Sequence, residues 1–238
     1  MRLPRVYVEP SAVPGLELTL APEEHHHLRR VLRLRPGDRF LAFDGTGREM
    51  VAELGDRRRA RVLETSHPEV EPRLHLTLFL ALCKTDRFDR ALEKAAELGV
   101  RRVVPLGTSR CTVHDPGRAR QERWSRLVRG AAALAGRVLV PEIAPPVDLA
   151  GVAEEALGCD RALILLPGGP PLRGPLGGRA ALLIGPEGGF SPEEEELAKS
   201  RGLEPAGLGP RVLRVETAAV AAISLAFYLA GDMEEATG

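Results

Sequence analysis

Residues 179–197 read RAALLIGPEGGFSPEEEEL, a short apolar run followed by two glycines and then four consecutive glutamates. A continuous apolar run of this length predicts a strand that is buried on both faces. Ser191 and Glu194 have the spacing of a capping box, and Pro192 suits the first position of a helix. The stretch 185–190 is therefore predicted to be a strand-to-helix loop. In an open α/β sheet such a loop lies at the carboxyl end of its strand, where ligands bind.

This glycine loop is a poor match for a phosphate-binding loop. It lacks the Gly-Lys-Ser/Thr ending that supplies a cation, and the helix after it begins with the acidic residues 193–196. A neutral or cationic ligand that needs close contact with the backbone fits better, because glycine has no side chain. The alternative is that Gly188 and Gly189 only form a tight turn and the glutamates only complement the helix dipole.

Composition describes an ordinary globular protein. The chain has 238 residues and is 44% hydrophobic, which is enough for one large domain or two smaller ones. No apolar run approaches the roughly 20 residues that span a bilayer, and the first residues lack the apolar segment of a signal peptide, so we expect a cytoplasmic protein. The three cysteines are widely spaced and the histidines 25–27 are adjacent, so neither a disulfide framework nor a metal site is predicted.

The formal net charge is zero, but charge is distributed unevenly along the chain. Residues 73–130 carry 13 basic and 6 acidic side chains, whereas residues 131–238 carry 8 and 15. Arginine supplies 30 of the 33 cations, and its guanidinium group favours phosphate contacts and stacking on bases. This bias indicates a polyanionic partner such as a nucleic acid. A genomic preference for arginine, or ion pairs suited to high temperature, would give the same composition.

Two domains are predicted, at 1–70 and 71–238. The first has alternating apolar runs around an Asp-Gly hairpin signal at 44–45, which indicates a small all-β unit. The stretch 66–73, with two prolines and no apolar periodicity, is the predicted linker. Strands and helices alternate beyond it, which predicts an α/β fold with a mostly parallel sheet. The predicted strands are 74–82, 100–106, 138–143, 161–167 and 179–185, and the last two predicted helices are 192–200 and about 217–230.

A second glycine-bearing loop opens the stretch 208–227, LGPRVLRVETAAVAAISLAF. The helix in this stretch is apolar on nearly all sides, so it is predicted to be buried in the core or against another subunit. Arg211 and Arg214 lie beside the loop, and cations next to a second glycine turn indicate a binding site. The alternative is simple packing, in which Arg214 and Glu216 form a local ion pair.

Four stretches together resemble the ribosomal RNA small subunit methyltransferase E family, within the SPOUT class. They are GPEGGFSPEEEELA, LGPRVLRVETAA, KTDRFDRALEKAAELGVRRVVPLGTSRC and GRVLVPEI. The resemblance implies a parallel sheet with a deep trefoil knot, an N-terminal PUA-like barrel that grips RNA, and a homodimer. It also implies methyl transfer from S-adenosylmethionine to N3 of one uridine in 16S ribosomal RNA. A SPOUT enzyme acting on a ribose 2′-hydroxyl or on transfer RNA, or a non-catalytic ribosome-assembly factor, are the alternatives.

The resemblance also assigns residues to roles. Arg211 and Arg214 are expected to stabilise the charge that develops on the uracil oxygens, and the general base is not identified. Glu187 and the acidic helix suit the positive sulfonium of the cofactor. Three loops are expected to bind the cofactor through Leu165, Leu166, Pro167, Ile184, Gly185, Glu187, Gly188, Gly189, Leu208, Gly209, Pro210 and Leu213.

RNA contacts are expected mainly from the basic residues near the family's motifs. The predicted RNA-binding residues are His27, Arg29, Arg30, Arg33, Lys84, Arg110 and Arg137. Two departures from the family affect the details of this contact. Ala133 and Leu134 stand where the family usually has Glu-Gln, and Ser109 stands in place of the Glu in its Ser-Glu-Arg.

Overall fold

The computed structural model of the protein describes residues 3–113, 115–156 and 158–234. The chain divides into two compact units. Unit 1 comprises residues 1–71 and 129–140, and unit 2 comprises residues 72–128 and 141–238. The sequence prediction assigned all of 71–238 to the second domain, so the grouping of 129–140 with the first is a difference.

Unit 1 is built on a five-stranded mixed sheet. Its strands, in the order β1-β3-β4-β5-β2, are β1 (Arg5–Tyr7), β2 (Glu17–Thr19), β3 (Arg39–Phe43), β4 (Glu49–Leu54) and β5 (Arg59–Ser66). Strand β1 runs parallel to β3, and the other neighbours are antiparallel. The hairpin predicted around 44–45 is confirmed as β3 and β4, and Asp44 accepts two hydrogen bonds from Thr46 inside its loop.

One helical segment interrupts the strands of unit 1. Helix α1 (Pro22–His26) continues directly into a π-helix at His27–Val31. Leu28 is buried within it and joins the core that alternate residues of β3 and β4 form, such as Phe40 and Met50. Each such side chain contributes about 1.5–3 kcal/mol of burial free energy, so this core fixes where the helical segment lies within unit 1.

Unit 2 contains a six-stranded sheet in which every pairing is parallel. Its strands, in the order β11-β9-β10-β6-β7-β8, are β6 (His75–Ala81), β7 (Arg102–Leu106), β8 (Glu142–Ile143), β9 (Arg161–Leu165), β10 (Arg179–Ile184) and β11 (Glu204–Ala206). Residues 180–184 are all buried, so β10 is covered on both faces as its apolar run predicted. The predicted α/β class is thereby confirmed, and the trefoil knot stays a prediction because strand order does not trace the threading of the chain.

Helices cover both faces of this sheet. They are α2 (Thr85–Leu98), α4 (Leu149–Ala156), α5 (Pro192–Ser200) and α6 (Val215–Leu229). Helix α3 (Gly117–Ala135) packs on α2 through Trp124 and Phe88, and its residues from 129 on group with unit 1. Helices α4 and α5 share an apolar cluster with Phe79 and Leu183, while α2 packs against α6 and α6 contacts β10. Helix α2 ends at Gly99 with φ 110°, and the apolar periodicity of residues 88–98 followed by this glycine is a sequence signal for such an end.

The structure differs from the sequence prediction mainly at one strand, one helix start and three short strands. The strand predicted at 138–143 shortens to β8, because the N–H groups of Val138 and Leu139 donate to Glu71 instead of to a neighbouring strand. The last helix begins at Val215, two residues earlier than expected. The short strands β1, β2 and β11 were not predicted.

Candidate functional site

Three loops of unit 2 line one pocket. Strands β11, β9 and β10 are parallel neighbours, so the loops that follow them leave the sheet at the same edge. The first loop follows Leu165, the second follows Ile184 and the third contains Gly209. The pocket is lined by Leu165, Leu166, Pro167, Ile184, Gly185, Pro186, Glu187, Gly189, Phe190, Leu208, Gly209, Arg211, Val212, Leu213, Val215 and Ala218.

The structure brings most of the predicted site residues together at this pocket. Every residue predicted to bind the cofactor lines it except Gly188 and Pro210. Arg211, which was predicted to act on the uracil, also lines the pocket. Arg214 does not: it is the exposed residue that precedes the first turn of α6.

Sequence reasoning missed five residues that line the pocket. Pro186, Phe190 and Val212 lie inside the predicted loops, and nothing in the motifs distinguished them from their neighbours. Val215 and Ala218 lie one turn apart on α6, and this spacing puts both on one face of the helix. An earlier predicted start for α6 would have included Val215, whereas Ala218 lay inside the predicted helix and outside the predicted loops.

Arg110 holds the second loop in shape. Its Nη1 donates to the carbonyl oxygens of Gly188 at 2.7 Å and Phe190 at 3.0 Å. A turn inside the loop is closed by the Gly189 N–H, which donates to the Pro186 carbonyl at 2.9 Å. Arg110 was predicted to contact RNA, but part of its guanidinium is committed to the pocket loop.

The capping box predicted at the start of α5 is confirmed. The Glu194 N–H donates to Ser191 Oγ at 3.2 Å, and the Ser191 N–H donates to Glu194 Oε2 at 2.8 Å. The other carboxylate oxygen of Glu194 accepts from the Ser109 N–H at 2.7 Å. The second loop is therefore fixed at its helical end as well, since Glu194 links that end to the loop after β7.

Glu187 lines the pocket and forms an ion pair with Arg87 of α2, with 2.8 Å between Oε1 and Nη1. Both side chains are about one-third exposed, so the pair contributes only about 0–1 kcal/mol to stability. One carboxylate oxygen of Glu187 is thus paired with an arginine, and the expectation that Glu187 balances the charge of a cationic ligand stays a prediction.

The first and third loops meet backbone to backbone. The Leu166 N–H donates to the Ala206 carbonyl at 2.8 Å, and the Gly207 N–H donates to the Pro170 carbonyl at 2.7 Å. A Cβ atom on Gly207 would collide with the backbone of Gly169, so this approach requires glycine. The two loops are therefore held as one rigid wall of the pocket.

Gly209 lets the third loop turn towards the pocket. Its φ is +93°, a left-handed conformation that costs other residues about 1–2 kcal/mol. A Cβ atom there would lie 3.5 Å from Arg211 Nη2. Beyond it, Val212 is 85% exposed, so an apolar side chain at the pocket is left open to solvent.

The pocket can bind a ligand with apolar faces and polar edges. Its walls are mainly aliphatic side chains, which suit a flat ring system. Three lining glycines, Gly185, Gly189 and Gly209, leave the backbone N–H and C=O groups accessible at close range. Arg211 and the paired Glu187 are the charged side chains that line it.

The basic residues predicted to contact RNA in unit 1 differ in their surroundings. His27, Arg30 and Arg33 are exposed, and Arg33 has φ +60°, an unusual conformation for a non-glycine residue. Arg29 donates from Nη1 to the Leu34 carbonyl at 2.6 Å, so it stabilises the end of the π-helix segment. Burial lowers the pKa of His25, and the nearby Arg29 and Arg58 lower it further, which indicates that cations are concentrated here.

The prediction that Arg137 contacts RNA is contradicted by its burial. The residue is 4% exposed, and its Nε and Nη2 donate to Glu71 Oε2 at 3.0 and 2.7 Å. Its own carbonyl accepts from Arg5 Nη2 at 2.6 Å. Arg137 is thus part of the interior of unit 1. Lys84, by contrast, is exposed immediately before α2 in unit 2.

The described residues contain neither a metal-binding cluster nor a membrane-spanning helix. Within that part of the chain, no group of three or more His, Cys, Asp or Glu side chains could hold a metal ion. No described helix is long and apolar enough to cross a membrane.

Comparison with known families finds two matches along the chain. Residues 70–227 match an RNA methyltransferase domain. Residues 20–64 match an RNA methyltransferase PUA domain. A Synechocystis ribosomal RNA small subunit methyltransferase E is 34% identical over 92% of this chain and 76% of its own length. The chain belongs to the ribosomal RNA small subunit methyltransferase E family.

Other members of this family are similar to the chain over nearly its whole length. A ribosomal RNA small subunit methyltransferase E from Mycobacterium bovis is 32% identical over 91% of this chain and 88% of the relative. The Neisseria gonorrhoeae enzyme of the same name was solved bound to S-adenosyl methionine. It superposes on this chain with a TM-score of 0.86 at 30% identity, and the match covers 96% of this chain and 98% of the Neisseria chain. A Legionella pneumophila protein solved with bound SAM gives a TM-score of 0.86 at 35% identity, covering 95% and 97%.

Proposed function

We propose that this protein transfers a methyl group from S-adenosylmethionine to N3 of a uridine in 16S ribosomal RNA. The observation that carries the proposal is the three-loop pocket of unit 2, in a chain that belongs to the small subunit methyltransferase E family. Two structural relatives are solved with the same cofactor bound. Since the substrate is ribosomal RNA, we propose that the protein acts in the cytoplasm.

The pocket residues fit this cofactor. The adenine ring can pack on the aliphatic walls, and the glycine loops offer backbone donors and acceptors to its polar edges. S-adenosylmethionine supplies a methyl group that its sulfonium already activates, so alignment of the acceptor accounts for much of the rate. The chain's contribution is to hold the acceptor nitrogen in line and to manage its proton.

Arg211 is the residue that we assign to the developing charge on the uracil. Loss of the N3 proton leaves negative charge on O2 and O4, and a guanidinium at the pocket can stabilise it. Arg211 lines the pocket and is exposed, so it is accessible to a base that enters. Arg214 was predicted to share this role, but its position outside the pocket lining favours a contact with the RNA backbone.

RNA binding is proposed for the domain at 1–70, with the catalytic domain at 71–238. The exposed side chains of His27, Arg30 and Arg33 suit phosphate contacts, which position an RNA without reading its sequence. Lys84 and the free part of the Arg110 guanidinium are proposed to contact RNA from the catalytic domain.

We further propose that the protein forms a homodimer through α6. Leu225 and Tyr228 lie one turn apart on this helix and are 39% and 70% exposed, which leaves an apolar stripe that a second copy would cover. Ala222 and Ala226 are 0% exposed, so they pack inside unit 2 and a charge there would disrupt the domain itself.

The variant Leu225→Asp should sediment as a folded monomer with reduced methyl transfer. Leu16→Asp, which alters an exposed leucine of unit 1, is the control that should leave the mass unchanged, and a Leu225→Asp dimer would contradict the proposal.

Nucleoside mass spectrometry tests the function directly. The protein is incubated with S-adenosylmethionine and either small ribosomal subunits or purified 16S RNA, and the RNA is digested to nucleosides. We expect N3-methyluridine as the product. A 2′-O-methylated nucleoside or a product on transfer RNA alone would contradict the proposed substrate, and cofactor binding without any methylated product would favour an assembly factor.

A further inference from the structure

Glu216, in the first turn of α6, has a buried carboxylate oxygen without a partner. Its Oε2 is shielded from solvent and accepts no hydrogen bond, and no ion pair of Glu216 occurs among the described residues. Three other carboxylate oxygens are buried without a hydrogen bond, on Glu49, Asp89 and Glu155. Each of those three pairs with an arginine, so Glu216 differs from them in having no compensating cation. The ion pair with Arg214 that the sequence allowed is not formed.

A shielded carboxylate oxygen without a hydrogen bond has lost its contact with water and has gained no protein partner in exchange, which is unfavourable for the folded protein. The helix dipole at the start of α6 favours a negative charge but offsets only a small part of the desolvation. A group that is costly to the fold and that makes no structural contact is typical of a functional site, where the partner arrives with the ligand.

Glu216 lies beside the cofactor pocket without lining it. Val215 and Ala218 line the pocket from one face of α6, and Glu216 leaves the same helical turn on another face. The buried thiol of Cys83, just beyond β6, is close enough to respond to it. Burial raises the pKa of Cys83 to about 12, and the negative charges of Glu187 and Glu216 act in the same direction. Because Glu187 itself lines the pocket, the two carboxylates lie in one region at the carboxyl ends of β6 and β10.

The charged and titratable groups around this region come from four elements. Cys83 follows β6, Glu187 lies in the loop after β10, and Arg87 on α2 is occupied by Glu187. Arg120 on α3 donates from Nη2 to the Cys83 carbonyl at 3.1 Å and lies over the rings of Phe88 and Trp124. Arg120 is thus held by the backbone and by two aromatic rings. None of these groups forms a hydrogen bond or an ion pair with Glu216 in the described part of the chain.

We propose that Glu216 is the general base that removes the proton from uridine N3. This inference rests on the proposed function. The N3–H proton passes to the carboxylate of Glu216, and the N3 lone pair forms the new bond to the methyl carbon as the carbon–sulfur bond breaks and its electron pair stays on sulfur. The negative charge on O2 and O4 during proton transfer is stabilised by Arg211. The neutral carboxyl of Glu216 then releases its proton to water.

The test is the variant Glu216→Gln, measured in single-turnover methylation of 16S RNA. Glutamine keeps the size of the side chain but cannot take a proton, so we expect the rate at neutral pH to fall by about 100-fold or more. The dissociation constant of S-adenosylmethionine should stay the same. The rate of the variant should rise about tenfold per pH unit, because hydroxide then takes the N3 proton in place of the carboxylate.

Stability separates this role from a structural one. Removal of an unpartnered buried charge should leave the melting temperature of Glu216→Gln equal to or above that of the wild type. Glu122→Gln, which alters an exposed glutamate of α3 that does not line the pocket, is the control and should retain the wild-type rate. A wild-type rate in Glu216→Gln would overturn the inference alone, as would a lower melting temperature accompanied by loss of cofactor binding. A wild-type protein that makes no N3-methyluridine would overturn the proposed function and this inference together.

Discussion

The arginines of unit 1 and the pocket loops of unit 2 show two ways in which a functional surface is built. The second pocket loop is fixed from outside by Arg110 and Glu194, and the first and third loops are joined through their backbones. The exposed arginines of unit 1, Arg30 and Arg33, have no hydrogen bond or ion pair to another described side chain. A pocket for a small molecule thus requires preorganised walls, whereas a phosphate-binding surface requires cations that remain available.

The same comparison separates arginines that the sequence cannot distinguish. Arg29 and Arg137 belong to the same basic population as Arg30 and Arg33, yet their guanidinium groups are committed within unit 1. We therefore expect substitutions in the two groups to affect different properties, namely the stability of the fold in one case and the binding of RNA in the other.

The largest effect is expected from Arg137→Ala. Removal of one partner of a buried ion pair leaves Oε2 of Glu71 without its cation, while Oε1 keeps its two backbone donors, and costs about 3–5 kcal/mol of unfolding free energy. Chemical denaturation measures this loss, and Arg33→Ala, at an exposed site of the same unit, is the control that should change stability by less than about 0.5 kcal/mol. Equal stability of the two variants would contradict the division into structural and available arginines.

The next largest effect is expected from Gly209→Val on cofactor binding. The left-handed backbone at Gly209 is unfavourable for valine and should shift the third loop, and about 1–2 kcal/mol of strain weakens binding roughly tenfold. Calorimetry with S-adenosylmethionine measures the change. Gly202→Val is the matched control, because Gly202 also has a positive φ but has no atom within 4 Å of its Cβ position. Similar affinities for S-adenosylmethionine in both variants would contradict the assignment of the third loop to the cofactor site.

The smallest effect is expected from the double variant Arg30→Ala with Arg33→Ala. Loss of two phosphate contacts should weaken RNA binding and reduce the slope of log affinity against log salt by about 1 to 2. The affinity for S-adenosylmethionine should not change. Arg173 and Arg201, two exposed arginines of unit 2, supply a control double variant of equal charge. An unchanged salt slope in the unit 1 variant would mean that Arg30 and Arg33 are exposed to solvent but do not contact RNA.

Local signals in the sequence predicted those parts of the fold that are determined locally. The buried run of β10, the capping box of α5 and the glycine end of α2 each depend on residues within a few positions of one another. Strands β1, β2 and β11 have three residues each, too few for a periodicity to appear. The predicted strand at 138–143 was too long because its N–H groups bond to Glu71, about 67 residues away in the chain.

The candidate site divides in the same way. The family motifs identified the three loops. All but two of the residues that they predicted to bind the cofactor line the pocket. The motifs did not identify the partners of charged side chains, which come from distant parts of the chain: Arg87 for Glu187, and Glu71 for Arg137. The unpartnered oxygen of Glu216 is a property of the folded protein, and the sequence gives no sign of it.

A crystal structure of the protein with S-adenosylmethionine tests the central claim most directly. We predict density for the cofactor against the three loops of unit 2, with the adenine between aliphatic side chains such as Leu165 and Leu213 and the methyl group towards α6. Density for the cofactor elsewhere on the protein, with this pocket empty at saturating concentration, would contradict the account.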